Sequence, residues 1–347
     1  MRLLTTIPQD NLNKVHDAAR DVEARGFDGI VTQENRHDPF LPLAVAAVNT
    51  SKVQLCTGVA IAFARSPMSA ACQAWDLHAA SGGRFVLGLG SQVKGHNVRR
   101  FSVPWSAPAP RMKEYVESLR AIFRCWKTGE RLNYEGKHFQ FTLMTPNFVP
   151  EPFDAPAPAV TIAAVGPATL RVAGEVCDGV RLHPFCTRKY LETVVLPQVE
   201  EGMRRSGRAR ESFEISGGGF LATGKDDEEV ARMVEWVRMR IGFYGSTPAY
   251  WPVFETHGLE DLGHRLNEMS KAGQWEQMTA EVSDDVVRLF AAVGRHDEIK
   301  GAIEAHFGGI SDAVFASVSA DTPSDLPADV VQDIKSIDTT FKDYATA

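Results

Sequence analysis

The stretch from Leu55 to Asn97, LCTGVAIAFARSPMSAACQAWDLHAASGGRFVLGLGSQVKGHN, limits what this chain can become. Leu55–Val59 is a short apolar run with β-branched members. Pro67 suits the first turn of a helix, where its missing N–H costs nothing, and that helix runs to about Ala80. Ser81, Gly82 and Gly83 break it, and Arg84–Leu89 follows as a second strand leading into Gly90. Strand, helix and strand in this order form a βαβ unit, so the two strands lie parallel in one sheet. Both strands end in small residues, which leaves room above them for a flat ligand.

The same alternation continues on both sides. Strands are expected at Arg2–Ile7, Phe27–Thr32, Leu55–Val59, Arg84–Leu89, Val160–Val165, Cys177–Leu182, Phe213–Thr223 and Ala313–Val318. Between them lie helical patterns such as Leu12, Val15, Ala19 and Val22 on one face. Eight β/α units predict a closed (β/α)8 TIM barrel, α/β in class. The whole chain reads as one such domain, with insertions after strand four (about 129–158) and after strand seven (about 242–294). An open doubly wound sheet is the competing arrangement, but its glycine fingerprint belongs after the first strand, and TTIPQDNLNK has no GxGxxG. No internal repeat stands out.

Composition narrows the function classes. The net charge of -7 and the absence of a long basic run argue against nucleic-acid partners. MRLLTTIPQDNLNK lacks a signal-peptide pattern, no apolar run is long enough to span a membrane, and the odd number of cysteines fits a reduced, cytoplasmic protein. The five cysteines fit no metal-ligand spacing and read as reduced core residues. No HExxH, GxSxG or P-loop occurs, and no metal site is expected.

In a barrel the chemistry sits at the carboxyl ends of the strands. After strand two come Glu34 and His37, candidates for proton transfer, with Asp38 read as the cap of the next helix. After strand four, Ser91 and Gln92 are placed to hydrogen-bond a planar heterocycle. After strand five, Val165-Gly166-Pro167-Ala168-Thr169 starts a helix, either as an ordinary turn or as an anion site built from free N–H groups. His183 is ambiguous between site and scaffold. The aromatics of the insertions, among them Tyr134, Phe139, Tyr244 and Tyr250, read equally well as pocket wall or as packing.

The segments DVEARGFDGI, ENRHDPFLPLAVAA, WDLHAASGGRFVLGLG, RMKEYVESLRAIFRCWKTGE, IAAVGPATLRVAGEVCDGVRLHPF and FYGSTPAY together resemble the bacterial luciferase-like superfamily, in particular its coenzyme F420-dependent branch. The resemblance implies a barrel, commonly a homodimer, that transfers a hydride between F420 and a small organic substrate. It also implies a non-prolyl cis peptide at Gly58–Val59 behind the cofactor ring. Ser91, Gln92 and His96 would line the ring or its side chain. Ala164, Val165, Gly166 and Thr169 would hold the cofactor phosphate, with Glu34 beside the ring. Two alternatives stand beside this reading: a monooxygenase using reduced FMN, and a cofactor-free barrel hydrolase or isomerase. Where sugar-phosphate dehydrogenases of this branch carry a His and a Glu, this chain has Asn35 and Val93, which separates it from that chemistry.

Overall fold

In the computed structural model, which describes residues 1–317 and 324–344, eight parallel strands close on themselves. They are β1 (Arg2–Thr5), β2 (Gly29–Thr32), β3 (Gln54–Thr57), β4 (Phe85–Gly90), β5 (Ala159–Ala164), β6 (Gly179–Leu182), β7 (Glu214–Gly217) and β8 (Ala313–Phe315). β8 returns to β1, setting Ala313 beside Arg2 and Val314 beside Leu3. The fold is therefore the expected (β/α)8 barrel with helices around it, and the open sheet is ruled out because no barrel strand is left as an edge. Side chains alternate as a pleated strand requires. Leu4, Val31, Cys56, Val86, Ala159 and Ala313 cluster inside the barrel, while Leu3, Ile30, Leu55 and Val160 join the larger core under the helices.

Three strands start with the same device. Asp28, Asp178 and Asp312 directly precede β2, β6 and β8. Each carboxylate accepts a 2.8 Å hydrogen bond from a backbone N–H of the neighbouring strand, that of Leu3, Val160 or Ile215. Each also meets a cation: Lys335 at 3.0 Å from Asp28, Arg120 at 2.5 Å and Arg208 at 3.1 Å from Asp178, and Arg210 at 2.9 Å from Asp312. FDGI, CDGV and SDAV are thus one structural repeat, too short to stand out as a repeat of sequence. These ties hold the amino ends of the strands and leave the carboxyl rim free for a site.

The helix Pro167–Val176 is placed with equal care. It crosses the helix Leu196–Ser206 at Gly174 and Gly202, where a Cβ would lie 2.2 Å from the Val199 and Arg171 carbonyl oxygens respectively. Only glycines permit this approach, and it fixes where the start of the first helix points.

The expected strand Phe213–Thr223 proves to be two. β7 ends at Gly217, and a separate strand, Phe220–Gly224, pairs in parallel with Ala291–Arg295 outside the barrel. Gly217 and Gly218, at φ 82° and 100°, turn the chain out of the barrel between them. The first insertion carries the expected hairpin, Tyr134–Glu135 against Gln140–Phe141. Val318, the expected end of the last strand, lies outside the described residues. Among the described residues no helix is long and apolar enough to cross a membrane.

Replacing Asp178 by alanine would leave two guanidinium groups and the Val160 N–H without their shared acceptor. A loss of about 3–5 kcal/mol is expected in urea unfolding, the range for breaking a buried ion pair from one side. A loss below about 1 kcal/mol would show that the amino-end ties are incidental.

Candidate active site

A cavity of about 940 Å³ opens at the carboxyl ends of the strands. Glu34, His37, Gly58, Val59, Ser91, Gln92, Ala164, Val165, Gly166 and Thr169 all line it, although they come from four separate loops. His96 does not. It is exposed on the short helix Lys94–Arg99, and the inward position there belongs to Asn97. The fully buried Asn97 amide donates to the Ser91, Gln92 and Val93 carbonyls at 2.9, 3.3 and 3.2 Å. It thereby holds the loop in which Gln92 adopts a left-handed φ of 56°. A helical wheel places His96 and Asn97 about 100° apart, and hydropathy alone does not say which one turns inward.

The Gly58–Val59 peptide is cis, at the position the resemblance implies. The end of β2 grips both sides of it: Gly58 N–H donates to the Thr32 carbonyl at 2.7 Å, and Glu34 N–H donates to the Val59 carbonyl at 3.2 Å. The Glu34 side chain completes the clamp. Its carboxylate accepts from both terminal nitrogens of Arg65, at 2.6 and 3.0 Å, and from the Ile61 N–H at 2.6 Å. Arg65 in turn donates to the Ile61 carbonyl at 2.8 Å. Both oxygens of the carboxylate are therefore engaged by Arg65, and the pair ties the end of β2 to residue 61. His37 lines the cavity but is exposed at its rim, and Asp38 caps the following helix as expected, accepting from the Phe40 and Leu41 N–H groups.

The helix that begins at Pro167 has no side-chain cap, and nothing lies within 4 Å of where a Cβ on Gly166 would stand. An uncapped helix start facing an open cavity suits an anion. Thr169 lines the same opening, and the Tyr190 hydroxyl donates to the Val165 carbonyl at 3.4 Å. These residues fit a cofactor phosphate.

The opposite wall comes from β6 and the second insertion. His183 Nδ1 accepts the Phe185 N–H at 3.0 Å, which leaves the ring proton on Nε2. The Tyr244 and Tyr250 rings pack on this imidazole at centroid distances of 4.5 and 4.7 Å. Burial lowers the His183 pKa from 6.5 to about 4 and raises that of Tyr250 to about 12, so both side chains remain neutral donors at ordinary pH. The two insertions therefore differ. Tyr244 and Tyr250 are pocket wall, whereas Phe139 packs edge-on against Tyr115 at 5.5 Å and Phe153 packs on Trp75 at 4.3 Å, away from the lining. Four of the cysteines are buried, and burial lifts the Cys186 thiol to about 12, which suits a core residue rather than a nucleophile. Among the described residues no cluster of His, Cys, Asp and Glu is suited to a metal ion.

Relatives share this architecture. An uncharacterized protein of Mycobacterium tuberculosis is 46% identical over 314 residues, covering 90% of this chain and 92% of its own. The 5,10-methylenetetrahydromethanopterin reductase of Archaeoglobus fulgidus is 27% identical over 303 residues, covering 85% and 86%. Two solved structures share the fold. The coenzyme F420-dependent tetrahydromethanopterin reductase of Methanopyrus kandleri superposes with a TM-score of 0.75 at 20% identity, covering 97% of each chain. The oxygenating constituent of 3,6-diketocamphane monooxygenase of Pseudomonas putida, in complex with FMN, gives 0.66 at 16% identity, covering 91% of each. The profile of the family described as luciferase-like monooxygenase matches residues 2–311, and the chain belongs to that family.

Proposed function

We propose that this protein is a coenzyme F420-dependent oxidoreductase acting on a small organic substrate. The observation that carries the reading is the union, in one cavity, of the Gly58–Val59 segment, the Ser91–Gln92 loop and the uncapped helix start at Gly166. Together they offer a flat support, polar contacts at an edge and a phosphate site. The 27% identical archaeal relative is named a reductase, which supports reduction over oxygenation. FMN also carries a phosphate and a flat ring, so the reduced-FMN monooxygenase is the second reading.

When bound, F420 would carry the hydride, giving it from the reduced deazaflavin or accepting it on the oxidised one. The chain's own residues supply order and protons. The Glu34–Arg65 pair and the Glu34–Ile61 bond hold the segment that would support the ring. The Gly166 and Ala168 N–H groups and the Thr169 hydroxyl would hold the phosphate, the Thr169 N–H being engaged by the Gly166 carbonyl at 3.1 Å. Nε2–H of His183 and the Tyr250 hydroxyl, both on the cavity wall, would donate to an oxygen of the substrate and hold a proton there. Tyr244 and Tyr250 exclude water from that corner.

Titration with F420 and with FMN tests the reading. F420 is expected to bind at least about tenfold more tightly. Tight FMN binding without F420 binding would favour the monooxygenase. Because Gly166 has open space around its Cβ position, Gly166→Leu should leave the urea midpoint unchanged and weaken cofactor binding about tenfold or more. An unchanged affinity would remove the phosphate from this helix start.

His183 gives a second test. With its pKa near 4, kcat should be flat from about pH 5 to 8, and His183→Phe should lower it about 100-fold with little change in cofactor affinity. Stability should fall as the pH drops from 6.5 to about 4, because the unfolded chain binds the His183 proton and the folded one does not. That slope should be shallower in His183→Phe. An inflection in the wild-type kcat profile near 6.5 that the variant loses would contradict a neutral, buried His183.

A further inference from the structure

Below the rim, the cavity reaches a charge that the protein does not neutralise. Arg181 lies in β6, is 3% exposed, and lines the cavity. Its Nε donates to the Thr161 hydroxyl at 3.1 Å, which aims the guanidinium. Its two terminal nitrogens are buried without a hydrogen-bond partner among the described residues. Gly88 keeps the place clear, since a Cβ there would lie 2.8 Å from Arg181 Nε and 1.9 Å from the Thr57 carbonyl oxygen.

The surrounding groups do not balance it. The Arg181 charge is felt by Cys56, Glu214 and Tyr344, and the guanidinium also approaches the Cys56 sulfur, a weak acceptor that does not satisfy its two terminal nitrogens. Burial holds the Cys56 thiol and the Tyr344 hydroxyl in their neutral forms. Glu214 is already engaged, accepting from Arg2 at 2.6 Å and from the Tyr344 hydroxyl at 2.7 Å. Two guanidinium groups thus share one carboxylate inside the barrel. Of the acids on the cavity wall, Glu34 is held by Arg65, and Asp10 is exposed at the rim. A permanently charged, dehydrated fork whose terminal donors meet only a neutral thiol sulfur is costly unless something in the cavity accepts from it.

We propose that Arg181, aimed by Thr161, is a binding subsite for a planar oxyanion on the ligand that enters the cavity. The class is a carboxylate or a ring oxygen carrying negative charge, because the parallel N–H pair of a guanidinium matches two coplanar lone pairs. The inference rests on the reading that this cavity is the reaction site, and it adds a chemical class to the ligand. The oxygen belongs either to the substrate or to the cofactor ring. A phosphate at the Gly166 helix start would be a separate contact.

Calorimetric titration of the protein with propionate and with its neutral isostere propionamide tests this, with and without bound F420. The cofactor-free wild type is expected to prefer propionate at least about tenfold, the range for a charge-assisted bidentate pair. Arg181→Met should lose the preference, and Thr161→Val should reduce it about threefold. If Arg181→Met does not fold, the wild-type and Thr161→Val titrations decide. A preference that survives F420 loading assigns the subsite to substrate. A preference abolished by loading, with weaker F420 binding in Arg181→Met, assigns it to an oxygen of the cofactor. Equal affinity for acid and amide in the wild type, or an unchanged preference in a folded Arg181→Met, overturns the proposal. A propionate preference in a protein that binds no F420 would leave the subsite standing and remove the F420 reading alone.

Discussion

Closure of β8 onto β1 is the constraint on which the rest depends. Once eight parallel strands form a ring, every carboxyl end opens on the same rim, and loops far apart in sequence must share one cavity. The chain reinforces this from the other end. Asp28, Asp178 and Asp312 each tie the start of one strand to its neighbour, in environments that also satisfy a cation. These ties lie at the amino face, while the carboxyl face carries loops with unusual backbone, such as that of Gln92 at a φ of 56°.

The cavity divides its tasks by side. Backbone does the work on one wall, through the cis bulge and the uncapped helix at Gly166, where side chains are small and the ligand can approach closely. Side chains work on the other wall, where His183, Tyr244 and Tyr250 form a neutral, partly apolar corner. Arg181 lies deeper, as a cation that neutral surroundings leave available. A site of this kind suits an electron carrier that brings its own reactivity and needs orientation, a dry surface and a proton donor.

Much of this was legible in the sequence because periodicity and glycine placement are local signals. All eight barrel strands were found, and Pro67, Pro167 and Gly166 marked helix starts that the fold uses. What stayed hidden depended on partners distant in the chain. Glu34 looks like an acid until Arg65 is placed against both of its oxygens. Asn97 and His96 are adjacent, and only the packed loop shows which one turns inward. The aspartate that recurs before β2, β6 and β8 stays hidden because its meaning lies in hydrogen bonds between strands. The break after β7 was missed because Gly217-Gly218-Gly219 reads as a flexible strand until positive φ values turn it into an exit.

The most direct measurement is a crystal structure of the protein with F420. The account predicts a phosphate oxygen within about 3 Å of the Gly166 and Ala168 N–H groups and the Thr169 hydroxyl, with the ring lying over Gly58–Val59. F420 bound outside this cavity, or seated with its phosphate away from the start of the Pro167 helix, would contradict it.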